Sequence, residues 1–485
     1  MLFNSISFAC FLPIVFLLYW FIFNKSLKFQ NILLLTASYF FYSCWDWRFL
    51  FLLAFSTLLD FYSGLAIQSS KSQYQRKFWL LLSVVINLGF LAYFKYYNFF
   101  VESFADLMSK SGFQANVVTL KIILPVGISF YTFHGLSYVF DIYNRKITPT
   151  TNFVQYSLFV SFFPLLVAGP IERATHLLPQ MENARKFSYA QAVNGLRQIL
   201  WGFLKKVVIA DSCAEFANMI FNNSGEYSGS ALVLGAIFFA FQIYGDFSGY
   251  SDIALGVARL FGFELLKNFS FPYFSRDIAE FWRRWHISLS SWFRDYLYYP
   301  LGGSRGNTFL RVRNTFIIFL VSGFWHGANW TFLIWGALNA LFIMPSIIFK
   351  TNRDNLEIVA KGKILPSVKS FCQMLITFGL TVFAWIFFRA KDLQHALSYI
   401  KGIFNKSLFS LPTSGHPELN RSLLCLLLVF AFMTIEWFGR EDNFALEKLG
   451  ISWPKPMRLL FYSVLIFCLG MFMQSGETAF IYFQF

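Results

Sequence analysis

The chain has 485 residues, of which 56% are hydrophobic, 21% aromatic and only 13% charged, with a formal net charge of +15. Soluble domains carry about 25% charged residues, so this composition, with a mean hydropathy of +0.52, excludes an ordinary soluble fold and reads as a polytopic membrane protein. The basic excess fits cytoplasmic loops that meet anionic lipid, so membrane lipid is an expected partner and nucleic acid is not.

Apolar runs bounded by charges or turn residues fall near 2–23, 29–44, 48–67, 78–100, 120–142, 153–170, 229–247, 314–328, 330–349, 371–388, 421–438 and 457–474. Several are short against the length of about 20 residues that one crossing needs. The expected fold class is therefore all-α, with about ten or eleven transmembrane helices plus re-entrant and interfacial helices. Irregular backbone at membrane depth requires surrounding protein or a water-filled cavity. The first run, Leu2 to Phe23, lacks a basic leading region and a small-residue cleavage site, and reads as a retained helix. No internal repeat or separable soluble domain is visible, so residues 1–485 are expected to form one integral-membrane domain.

Basic residues gather in a few connections: Lys71, Arg76 and Lys77; Arg145 and Lys146; Arg185 and Lys186; Lys205 and Lys206; Lys361, Lys363 and Lys369. Placing 71–77 in the cytoplasm puts Lys25 and Lys28 there too, and the N-terminus outside. Beyond residue 170 re-entrant segments defeat parity counting. The six cysteines, at positions 10, 44, 213, 372, 425 and 468, form no CxxC pair or metal spacing. They are expected to be small buried hydrophobes.

A polar centre follows. Asp246, Asp252 and Arg259 interrupt an apolar stretch that also holds Gly245, Gly249 and Gly256. On a helix, Asp252, Gly256 and Arg259 share a face. Buried charges need partners, so an ion-pair network is expected, with a catalytic carboxylate as the alternative. Further on, Trp282, Trp285, Leu289, Trp292, Tyr296 and Tyr299 recur at steps of three and four. That spacing predicts one aromatic stripe along a continuous helix of roughly five turns, with Arg283 and Arg294 on another face and His286 at the stripe's edge. Pro300 and Gly302-Gly303 stop it. Such a helix suits a membrane interface or the rim of a polar cavity.

Residues 322–330 read Ser-Gly-Phe-Trp-His-Gly-Ala-Asn-Trp, inside a run from Phe316 to Phe349 without Lys, Arg, Asp or Glu. An ionisable side chain at membrane depth marks a functional site by default. His326 is therefore a candidate, and Gly323, Gly327 and Ala328 leave room beside it for a substrate or a close neighbour helix. His286 is a second candidate, and for each the competing reading is a structural histidine. No carboxylate or cysteine stands at ligand spacing beside either, so no metal is expected. His134 lies in an apolar helix, as a tunnel lining or a core residue, and His176, His395 and His416 fall in expected loops or interfacial segments.

Phe281-Trp-Arg-Arg-Trp-His286 with Ser288, Trp292, Arg294-Asp295 and Leu301-Gly-Gly, followed by Trp325-His326-Gly-Ala-Asn-Trp, closely resembles the membrane-bound O-acyltransferase family. The likeness is nearest to its bacterial alginate O-acetyltransferase branch, with the teichoic-acid D-alanyl transfer proteins more distant. Ala168-Gly-Pro-Ile-Glu and Asp246-Phe-Ser-Gly-Tyr-Ser-Asp are similar to further parts of that signature, so the motifs span about residues 120–340. The resemblance implies helices around a central passage, with His326 near its middle and His286 in the first histidine's place. It also implies a multi-pass protein of the bacterial cytoplasmic membrane that moves acetyl groups from a cytoplasmic donor toward an extracytoplasmic polysaccharide. An extracytoplasmic acetyltransferase partner is expected by the same analogy. D-alanyl or other acyl transfer to a cell-envelope polymer, and a membrane transporter, are the alternatives.

The chemistry suits these residues. Imidazole titrates near neutrality, and apolar surroundings favour its neutral, basic form. His326 is then the general base toward an acceptor hydroxyl, or an acyl relay, with acetyl-CoA as co-substrate and no bound cofactor. Oxyanion donors would come from Asn329, from the Trp325 or Trp330 indole, or from backbone amides. Asp246, Asp252, Trp285 and Arg283 complete the candidates for the substrate passage, and Arg283, Arg284 and Arg294 suit coenzyme A or lipid phosphate.

Overall fold

The computed structural model describes residues 1–113, 118–413, 415–473 and 480–481, and every regular element among them is helical. Among the described residues, seven helical stretches are long and apolar enough to cross a membrane: 48–69, 73–110, 229–260, 330–348, 368–389, 417–439 and 455–472. The protein is a multi-pass membrane protein. The number of such spans is below the ten or eleven expected, because several apolar runs fold into shorter helices. The run at 153–170, for example, yields a helix of only 9 residues.

The chain forms two compact units, residues 1–192 with 257–266, and residues 193–256 with 267–485. The first contains α1 (Ile6–Leu17), α2 (Leu27–Asp46), α3 (Arg48–Ser69), α4 (Gln73–Leu91), α5 (Tyr97–Lys110), α6 (Ile128–Tyr143), α7 (Phe153–Ser161) and α8 (Ala174–Glu182). Its centre is α6, buried on nearly every side and packed against α3, α4 and α7. Gly135 lets the Asp60 carboxylate lie against α6, where a Cβ would collide with its oxygen. Asp60 accepts hydrogen bonds from Ser83 Oγ (2.6 Å) and Asn87 Nδ2 (2.8 Å), which satisfies a carboxylate that water cannot reach.

His134 is fully buried in the core of this unit, and its Nε2 accepts the backbone N–H of Glu172 (3.1 Å). Glu172 in turn meets His176 Nδ1 at 2.8 Å and accepts the Leu266 N–H at 2.5 Å. The Glu172 carboxylate raises the half-buried His176 above the ordinary imidazole range. His176 lies in α8, not in a loop, so the Ala168–Glu172 signature serves here as a structural hub.

The second unit is built from α9 (Tyr189–Phe203), α10 (Asp211–Asn222), α11 (Gly229–Leu260), α12 (Ile278–Arg284), α13 (Ile287–Phe293), α14 (Thr308–His326), α15 (Trp330–Ile348), α16 (Val368–Arg389), α17 (Leu393–Ile403), α18 (Ser422–Gly439) and α19 (Lys455–Phe472), with α9 and α11 running through the division. Small residues bring α9 and α11 into backbone contact. A Cβ added at Gly249 would lie 2.7 Å from the Gly202 carbonyl oxygen, and one at Gly256 2.5 Å from that of Gly195. Close approach of this kind holds helices together where lipid removes the hydrophobic incentive.

That contact overturns the reading of Lys205 and Lys206 as loop residues. Both lie in a buried π-helical turn, Leu204–Ala210, that continues α9. Lys205 Nζ is 2.5 Å from Asp252, and Lys206 Nζ is 2.7 Å from Asp246 and 2.8 Å from Asp211. Gln198 Nε2 donates to the other Asp252 oxygen (2.8 Å), and the N–H of Ile481 to the second Asp246 oxygen (2.6 Å). The expected network on α11 therefore exists with other members: Arg259 pairs with Glu264 instead (3.1 Å).

The cysteines also depart from expectation. Cys213 and Cys425 are buried with their sulfurs 3.5 Å apart, whereas Cys10, Cys44 and Cys372 are exposed. In a membrane protein the outer surface is itself apolar, so an apolar segment does not imply an inward-facing cysteine.

Candidate active site

The predicted continuous helix from 280 to 299 is broken at His286. α12 ends at Arg284, α13 begins at Ile287, and a π-helical turn, Arg294–Tyr298, completes the run. The break has a specific cause. The Ile287 N–H bonds the Asn268 carbonyl oxygen (2.9 Å), a partner outside the helix. His286 is thereby left in the left-handed region at φ 44°, ψ 53°. Such backbone is uncommon for a residue with a Cβ, persists only where its surroundings enforce it, and concentrates at functional sites. The broken stripe carries the histidine into the unit's interior, where it is 1% exposed.

His286 lies outside the seven apolar spans. Burial holds its imidazole far below the usual range, at about 3, so the ring is neutral. Its Nδ1 is 3.0 Å from Asn268 Oδ1, and Phe247 presents a ring at right angles, with centroids 4.6 Å apart.

His326 arrives from a different direction. It is the last residue of α14, which forms a tight antiparallel hairpin with α15 through Gly327-Ala328-Asn329. A Cβ on Gly323 would collide with the Phe332 carbonyl, and one on Gly336 with that of Phe319. The sequence reading left open a substrate or a neighbour helix beside Gly323, and the neighbour helix occupies that place. The His326 ring sits among Trp325 (4.9 Å), Trp335 (5.1 Å) and Phe388 (5.3 Å), all in edge contacts. The two imidazole centroids are 6.3 Å apart, and Trp325 also reaches the His286 ring at 6.1 Å. The two imidazoles thus lie side by side in the buried interior.

The other candidates take distinct places. Asn329 caps α15 by accepting the Thr331 N–H (3.0 Å), and its Nδ2 donates to the Lys391 carbonyl (2.9 Å). Both bonds point away from the histidines, to the helix cap and to Lys391. Trp330 is 56% exposed. Trp285 is buried in an aromatic stack with Phe281, Tyr273 and Trp385. Asp246 and Asp252 belong to the ion pairs already described. Arg283 ties α12 to a following loop by donating to the Asn352 and Asn355 carbonyls, both at 2.8 Å. Arg284 is held by Glu280 (2.8 Å) and the Ser270 carbonyl (3.2 Å). A cavity of about 350 Å³ opens beside α12–α14, lined by Arg283, Arg294, Ser290, Ser291 and Ser322 among others. Ser322 is one helical turn before His326. Asn268, Trp335 and Phe388 escaped the sequence reading. Asn268 lies in a loop with no periodicity to mark it, and the two rings resemble any other aromatic residue of an apolar helix.

The sequence pattern of the membrane-bound O-acyltransferase family matches residues 32–387. The chain belongs to that family. It is 40% identical over 461 residues to the probable alginate O-acetylase AlgI of Pseudomonas aeruginosa, covering 94% of this chain and 84% of that one. It is 33% identical over 531 residues to the peptidoglycan O-acetyltransferase of Helicobacter pylori, covering 100% and 98%. The teichoic acid D-alanyltransferase of Bacillus subtilis is more distant, at 28% over 289 residues, or 57% of this chain and 71% of that one. In this membrane-bound O-acyltransferase the two candidate histidines thus lie side by side, buried among aromatic rings.

Proposed function

We propose that the protein transfers acetyl groups from cytoplasmic acetyl-CoA toward hydroxyls of an extracytoplasmic polysaccharide, with His326 as general base. The observation that carries this reading is the pair of buried imidazoles 6.3 Å apart. The likeness to acetyl-transferring relatives extends over 94% to 100% of the chain, against 57% for the D-alanyl-transferring one, which favours acetyl as the group moved. Neutral His326 takes the proton of the acceptor hydroxyl as its oxygen attacks the thioester carbonyl. The tetrahedral intermediate collapses, the carbon–sulfur bond breaks, and the imidazolium returns the proton to the departing thiolate. An acyl-histidine relay is the variant in which imidazole itself attacks first. The cavity beside α12–α14, which carries Arg283 and Arg294 in a largely apolar lining, is the proposed entrance for the donor, with Arg294 toward its phosphates.

We place the protein in the bacterial cytoplasmic membrane with its N-terminus outside, acting with an extracytoplasmic acetyltransferase partner. The test is acetyl transfer from radiolabelled acetyl-CoA in sealed membrane vesicles containing wild type, His326→Ala or His286→Ala at matched levels. Loss with His326→Ala in a folded protein supports the reading. Full activity of that variant refutes it.

A further inference from the structure

Asn268 holds the turn at His286 through hydrogen bonds with three residues, His286, Ile287 and Ser288. Its backbone carbonyl accepts the Ile287 N–H (2.9 Å), which creates the left-handed break. Its side-chain Oδ1 accepts from Ser288 Oγ (2.9 Å) and from the Ser288 N–H (3.4 Å), and it faces His286 Nδ1 at 3.0 Å. These contacts settle which amide atom faces the ring. A backbone N–H is an obligatory donor, so an amide turned the other way would set N–H against N–H. The facing atom is therefore the oxygen, and the proton of the neutral ring sits on Nδ1.

A packing role does not account for this residue. Asn268 is 1% exposed, and its Nδ2 has no hydrogen-bond partner among the described residues. An apolar side chain of the same size would fill the space without burying an unmade donor.

We infer that Asn268 is a positioning residue that fixes His286 in its Nδ1–H tautomer, so that Nε2 offers a lone pair to an acceptor hydroxyl. This rests on the acyl-transfer reading for the identity of that hydroxyl. Toward the site His286 is then a hydrogen-bond acceptor, not a donor to the thioester oxyanion. Sugars carry hydroxyls on neighbouring carbons. His286 holds one of them while His326, 6.3 Å away between ring centroids, deprotonates the next. The acceptor class implied is a glycan with adjacent hydroxyls.

Nitrogen-15 NMR of histidine-labelled protein in lipid nanodiscs, with His286 assigned by its loss in His286→Gln, reads the tautomer directly. Wild type is expected to show protonated Nδ1. Asn268→Leu is expected to lose that preference, with kcat lowered about 10–100-fold, as when an outer partner that orients an imidazole is removed, and with KM for acetyl-CoA unchanged. Asn268→Asp keeps an acceptor oxygen and is expected to restore the tautomer. Protonated Nε2 in wild type, or an unchanged tautomer in Asn268→Leu, overturns the inference. The expected tautomer combined with full transfer by His286→Gln removes His286 from the reaction, and leaves the acyltransferase reading standing on His326.

Discussion

His286 and His326 are neighbours in space set in different surroundings. His286 sits at a break between two short helices, with its Nδ1 3.0 Å from the side-chain oxygen of a loop asparagine 18 residues away. His326 ends a 19-residue helix and is enclosed by the rings of Trp325, Trp335 and Phe388. Hydrogen bonds fix direction, and with it the tautomer. Ring contacts fix position and exclude water. A pair of buried imidazoles can use both devices together, one ring aimed by a hydrogen bond and the other enclosed by aromatic rings.

The sharpest break of this comparison is His326→Ala. We expect transfer to fall by about 10²–10⁴-fold, the usual worth of a general base, while size-exclusion profiles and thermal unfolding stay near wild type. The ion pairs beside α11 should answer in the reverse sense. Lys206→Met strands Asp246 and Asp211, and breaking a buried pair destabilises by about 3–5 kcal/mol. Thermal unfolding in detergent should show that loss, with transfer per folded molecule preserved. If transfer vanishes in a stably folded Lys206→Met protein, the carboxylates belong to the chemistry.

The aromatic cage permits a finer test. Trp335→Leu removes an edge contact to His326, and such contacts are worth about 0.5–1.5 kcal/mol, so transfer should fall by up to about tenfold. Phe247→Leu beside His286 should do less, because hydrogen bonds still orient that ring. Equal losses at both positions would erase the distinction.

The smallest expected effect concerns His176. Its folded-state pKa is raised, chiefly by the hydrogen bond to Glu172. Its contribution is therefore fully present below the unfolded value of about 6.5 and is lost as pH rises through the raised value. Unfolding of wild type against His176→Gln should differ more at pH 5.5 than at pH 8.5. The side chain is 38% exposed, so solvent screening keeps the difference below about 1 kcal/mol. A gap that widens with pH would refute the pairing.

Much of this was legible in the residues. The hairpin that carries His326 follows from a charge-free run too long for one crossing, with Gly-Ala-Asn as its turn. Asp246 and Asp252 announced buried ion pairs, whereas the close packing at the α11 glycines was not read from the sequence. Their partners were misread, because two adjacent lysines look the same in a cytoplasmic loop and in a buried turn. Only the carboxylates across the helix contact distinguish the two cases. The aromatic stripe from Trp282 to Tyr299 was real as a pattern and wrong as a continuous helix, since periodicity reports local preference and cannot register one N–H diverted to a distant carbonyl.

The sequence by itself determined the solvent, the helical class, the two histidines and, through their flanking motifs, the family. Each of these rests on composition or on residues close together in the chain. Tertiary structure alone decided that His286 sits in left-handed backbone, that Asn268 chooses its protonated nitrogen, that Lys205 and Lys206 neutralise α11, and that Asn329 serves as a helix cap. In each case the deciding hydrogen bond or ion pair joins segments that no local pattern connects, and in a nearly water-free interior every such group must find its partner within the protein.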